Sequence, residues 1–94
     1  MFRYLRRFQN RGATEMKHLR SPRHRALIAA IIEARNAAGM SQREFAAKLK
    51  RTNNFVWRIE AGERRVDVLE FVEIARAAKI DPQELLGRVL RGGM

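Results

Sequence analysis

Ninety-four residues, 46% of them apolar and none of them cysteine, provide for one modest core and exclude disulfides, thiolate metal sites and thiol nucleophiles. No apolar run approaches the roughly 20 residues of a membrane span, and the lack of cysteine fits a reducing cytoplasm. The formal net charge is +10 and unevenly placed: residues 1–25 hold eight Lys and Arg against one acid, whereas residues 26–94 hold twelve against nine. A basic arm on a nearly balanced domain points to a polyanionic partner, the plainer alternative being a solvated tail.

The division read from this is an arm, residues 1–20, followed by a folded domain over 21–91. Met1 to Arg11 is basic without a continuous apolar stretch, so it does not read as a secretory signal. Phe2, Tyr4, Leu5 and Phe8 stand among arginines, in the manner of a short amphipathic helix, although the expectation for the arm is mobility. Met16-Lys17 also has the look of a start just ahead of Ser21, which leaves the true beginning open between Met1 and Met16.

From Ser21 the chain is written in helix start and stop signals. Ser21-Pro22 has the form of an N-cap followed by Pro at the first helical position. Leu27, Ile31, Ala34 and Ala38 recur at helical spacing, Ile28 and Ile32 widen the apolar stripe, and Gly39 ends it. A capping box follows at Ser41 and Glu44, with Met40 and Phe45 as a hydrophobic staple and Phe45, Ala46 and Leu49 as the buried face. Between 50 and 62, Thr52 serves as N-cap, Val56 and Ile59 as inward positions and Gly62 as the stop, which predicts a third helix of about nine residues. The staple-and-box pattern returns at Val66-Asp67-x-x-Glu70-Phe71 and at Ile80-Asp81-Pro82-x-Glu84-Leu85. These predict helices near 67–78 and 81–90, the first burying some of Val68, Leu69, Phe71, Val72 and Ala75. No segment alternates as a strand does, so an all-α bundle follows.

Two short helices joined by a tight turn within Gln42 to Ala61 have the form of a helix-turn-helix. Ala46 supplies the small residue needed where the two cross. Anchoring the second helix at Val56 and Ile59 leaves Asn53, Asn54, Trp57, Arg58 and Ala61 outward together. That face carries amide and guanidinium groups suited to bidentate bonds with purine edges in the DNA major groove. The plainer reading of Asn53 and Asn54 is helix capping. Lys48, Lys50 and Arg51 near the turn, and Arg64 and Arg65 beyond Gly62, are candidates for phosphate contact, with simple solvation as the alternative. His18 and His24 have no second ligand at metal spacing, and no nucleophile–base pair is visible, so neither a metal site, a cofactor nor catalysis is expected.

Ser41-Gln42-x-x-x-Ala46 and Val56-x-x-Ile59-Glu60-Ala61-Gly62 resemble the helix-turn-helix of the phage-repressor type, also called the xenobiotic response element (XRE) family. The resemblance runs over about residues 22–90; Leu69 to Ile80 followed by Asp81-Pro82 resembles that family's fourth and fifth helices. It implies a five-helix, lambda-repressor-like, all-α domain carrying the basic arm. It further implies that Gln42 bonds a phosphate, that Asn53, Asn54 and Arg58 fall on base-reading positions, and that Arg35 and Glu60 form a structural ion pair between helices 1 and 3. Arg43, Thr52, Trp57, Arg64 and Arg65 complete the expected DNA-contacting set. Two positions depart from the family pattern: Lys50 stands where Gly is common in the turn, and Trp57 where a small residue is usual. Trp57 faces either DNA or a partner chain.

The function implied is a cytoplasmic, nucleoid-associated transcriptional repressor or autoregulator that binds a palindromic operator in double-stranded DNA as a homodimer. The Leu85, Leu86, Val89 and Leu90 stripe is either core or two-fold interface. The competing readings are the antitoxin half of a toxin–antitoxin pair, which holds a partner toxin through residues 1–20, and a membrane-surface arm built on Phe2, Tyr4 and Phe8.

Overall fold

A computed structural model describes residues 21–92, which form five helices: α1 (Pro22–Ala37), α2 (Gln42–Leu49), α3 (Asn53–Glu60), α4 (Val68–Ala77) and α5 (Pro82–Gly92). The arm expected over residues 1–20 lies outside the described residues. None of the described helices is long and apolar enough to cross a membrane.

The starts of α1 to α4 have side-chain caps of the kind their sequence dictates. Ser21 Oγ accepts from the His24 N–H at 3.1 Å with Pro22 at the first helical position. Ser41 and Glu44 form a reciprocal box, as do Asp67 and Glu70, and Thr52 Oγ1 accepts from the Phe55 N–H at 3.2 Å. The box expected at Asp81 and Glu84 differs: Asp81 Oδ1 accepts from the N–H of Gln83 at 2.7 Å, and Glu84 leans toward Arg88 at 3.6 Å.

The stops of α1 to α4 repeat one motif, a left-handed residue followed by paired backbone bonds into the last turn. Gly39 (φ 74°) and Gly62 (φ 78°) fill the left-handed position after α1 and α3, and Lys50 (φ 57°) and Lys79 (φ 60°) fill it after α2 and α4. The N–H groups one residue further on, of Met40, Arg51, Glu63 and Ile80, reach back to Arg35, Ala46, Arg58 and Ala75 at 2.9–3.2 Å. At Gly62 there is a second constraint: a Cβ there would stand 3.3 Å from Ile28 Cδ1.

Ala30, Ile31 and Ala34 of α1, Phe45 and Ala46 of α2, Val56 and Ile59 of α3, Ile74, Ala75 and Ala78 around α4, and Leu85 and Val89 of α5 form one contiguous core. Small residues at 30, 34, 46, 75 and 78 let the helices approach closely. The α1 and α5 helices pack along each other, α2 packs on α3, and α4 bridges α2 and α5. Two apolar stripes are narrower than the sequence suggests. Val68 and Leu69 are 77% and 75% exposed, because α4 turns inward at Glu70, Ile74 and Ala75, leaving its first two residues on the outer side. On α5, Leu85 and Val89 are buried but Leu86 and Leu90 are half exposed.

Candidate nucleic-acid interface

The outward surface of α3 is built by its inward one. Val56 and Ile59, each 2% exposed, fix the rotation of an eight-residue helix whose remaining positions then have no choice of direction. Asn53, Asn54, Trp57, Arg58 and Ala61 are exposed. Phe55 lies between the two environments, half buried against the core.

The angle of this surface to the rest of the domain is set by an ion-pair cluster. Arg35 of α1 donates from Nε to Glu60 Oε2 at 2.7 Å and from Nη2 to Oε1 at 2.9 Å, while its Nη1 donates to the Met40 carbonyl at 2.9 Å. Gln42 Nε2 donates to the same Glu60 Oε1 at 2.9 Å. The Glu60 carboxylate thus joins α1 and the start of α2 to the end of α3, and Arg35 ties in the α1–α2 loop. It sits where the α3 dipole is unfavourable to an anion, and the guanidinium beside it offsets that cost.

A second cluster fixes the other side of α3. Glu70 accepts from Arg64 Nη1 and Nη2, both at 2.9 Å, and from the Asp67 N–H at 3.1 Å. Arg51 Nη1 stands 3.8 Å from its Oε2. The guanidinium carbons of Arg51 and Arg64 each lie 4.6 Å from the Phe55 ring centroid, within cation–π range. The Arg64 hydrogen bonds hold the Glu70 carboxyl below the usual range against the opposing effect of burial, with help from the Asp67 N–H and the Arg51 charge.

The residues expected to meet DNA therefore fall into two groups. Asn53, Asn54, Trp57 and Arg58, together with Arg43, Thr52 and Arg65, are exposed. Of these, Asn53, Asn54, Arg43 and Arg58 have no side-chain hydrogen bond or ion pair among the described residues, so their donors and acceptors are open to a ligand. Gln42 and Arg64 are half buried and engaged: Gln42 has one amide N–H on Glu60 and the other open, while Arg64 is drawn onto Glu70 and away from solvent. Neither Phe55 nor a role of Glu70 beyond its cap stands out in the sequence pattern. The hint was that a capping-box carboxylate has lone pairs to spare, with two arginines just upstream of it.

The Asn carboxamides offer the donor–acceptor pair that matches the adenine N7 and N6 edge, and Arg58 the fork that matches guanine O6 and N7. Those groups are uncommitted on a helix held at its C-terminal end by the buried Arg35–Glu60 pair and flanked at Phe55 by the guanidinia of Arg51 and Arg64.

The family model described as Helix-turn-helix (HTH_3) matches residues 31–85. Among solved structures, the chain is similar to an XRE-family like protein from Pseudomonas syringae pv. tomato str. DC3000, with 42% identity and a TM-score of 0.71 over 84% of this chain and 94% of that one. Its fold is also similar to that of the clp gene regulator ClgR from C. glutamicum, with 19% identity and a TM-score of 0.69 over 77% and 92% of the two chains. No curated protein matches the sequence.

Proposed function

Since the chain belongs to the XRE-type helix-turn-helix family of DNA-binding transcriptional regulators, we propose that it is a sequence-specific repressor or autoregulator acting as a homodimer on a short palindromic operator. The observation that carries this reading is the exposed and uncommitted state of Asn53, Asn54 and Arg58 on one face of α3. In the proposed complex α3 lies in the major groove, with the two amides and the Arg58 guanidinium on base edges. Arg43, Thr52, Arg65 and the open amide N–H of Gln42 hold phosphates on either side. Trp57, 47% exposed, lies against the sugar–phosphate backbone and donates its indole N–H to a phosphate. Leu86 and Leu90 are the apolar surface that a two-fold contact between α5 helices would cover.

Selection of bound duplexes from a random pool tests the proposal. Two inverted half-sites about one helical turn apart, roughly 34 Å between centres, are the expected product. A pool that stays random after several rounds contradicts sequence-specific binding, and a single unpaired half-site contradicts the dimer.

A further inference from the structure

Glu70 is, like Glu60, a buried carboxylate, 8% exposed, and it does more than cap α4. Its two oxygens take both Nη groups of Arg64 at 2.9 Å and stand 3.8 Å from Arg51 Nη1. Both guanidinia are thereby held over the ring of Phe55, the direct neighbour of Asn54 on the proposed reading helix. At 4.6 Å from that ring they lie closer to α3 than a Debye length, about 10 Å at 0.1 M salt.

We propose that Glu70 withholds the charges of Arg64 and Arg51 from DNA, keeping affinity for duplexes of arbitrary sequence low and leaving discrimination to Asn53, Asn54 and Arg58. Glu70 is in this sense a specificity-determining residue that touches no base. The inference rests on the DNA-binding reading above. Phosphate contacts carry no sequence information, and each one neutralised by a free cation steepens the fall of log K with log salt by about 0.9. An arginine already bonded at two points to a buried carboxylate contributes little to that slope. Arg51, more exposed and farther from the carboxylate, is withheld less completely than Arg64.

The test is the salt dependence of binding to a random-sequence duplex by the full 94-residue chain. Glu70→Gln is the main variant, because Gln retains the acceptor that the capping box requires and removes only the charge. The slope steepens by about 0.9, and affinity at about 0.1 M salt rises several-fold to about tenfold. Adding Arg64→Gln to that variant takes back most of the increase, leaving only the smaller share released from Arg51. A residue with a merely structural role gives the opposite sign, weaker binding at unchanged slope, and that result overturns the inference. If Glu70→Gln does not fold, Arg64→Gln alone decides. A slope within about 0.3 of wild type supports a withheld charge, and a slope shallower by about 0.9 overturns it. Wild-type protein that binds no duplex at any salt overturns the DNA-binding reading and this inference with it. Wild-type binding with an unaltered Glu70→Gln slope overturns this inference alone.

Discussion

Arg35 and Glu60, 25 residues apart in sequence, meet side on through two parallel hydrogen bonds of 2.7 and 2.9 Å, with 12% and 5% of their side chains exposed. The contact lets α1, the most extensively packed helix, dictate where α3 points. Arg35→Ala leaves the buried Glu60 carboxylate with Gln42 as its remaining partner and costs about 3 kcal/mol or more. At roughly 4–8 °C per kcal/mol for a domain of this size, the thermal midpoint falls by more than about 12 °C. Replacing both residues by methionine costs less than the two single changes added together, because no charge is left buried alone. Urea denaturation of the three variants measures this; a loss under about 1 kcal/mol for Arg35→Ala would show the pair to be incidental.

Lys50 and Lys79 hold left-handed conformations after α2 and α4 in a motif that Gly39 and Gly62 complete elsewhere in the same chain. Each lysine carries a steric cost of about 1 kcal/mol that glycine lacks, partly offset by the extra freedom glycine gives the unfolded chain. Lys50→Gly and Lys79→Gly are each expected to stabilise the fold slightly, by up to about 0.5 kcal/mol. Unchanged or reduced stability in both would mean that the lysine side chains contribute as much as the strain removes.

Burial, and then the nearby Arg65 charge, push the His24 imidazole below its ordinary value, and its Nε2 is buried without a hydrogen-bond partner. The folded protein therefore prefers the neutral ring. The stability that preference lends is fully present above the unfolded histidine value, near 6.5, and drains away as pH falls from there toward the lower folded value. His24→Gln, which cannot titrate, is expected to show a flatter stability profile between about pH 7 and 5 than the wild type. Denaturation midpoints at three or four pH values across that window check it, and parallel profiles would assign the acid dependence to other groups.

Fold and site were legible in the sequence to different degrees. Helix ends were legible because they are chemically local: Ser41 and Glu44, or Asp67 and Glu70, meet their partners within one turn. The outward set on α3 was legible too, since Val56 and Ile59 alone fix the rotation of so short a helix. The Val68–Leu69 exposure was not, because apolar character does not say which flank of a stripe the neighbouring helices cover. Nor was the fate of Arg64. Adjacent arginines look alike in sequence, and only the tertiary placement of Glu70 and Phe55 sends Arg64 inward while Arg65 remains exposed.

Whether the outer face of α3 reads sequence is tested most directly by comparing Arg58→Ala with wild type on two duplexes. One duplex carries the half-sites recovered by selection and the other is random, both at the same salt concentration. Loss of one bidentate base contact, about 1–3 kcal/mol, weakens binding to the selected site by about 5- to 150-fold. Binding to the random duplex changes by no more than a few-fold. Equal losses on both duplexes would mean that Arg58 meets only phosphate, and the reading of α3 as a recognition helix at that position would be wrong.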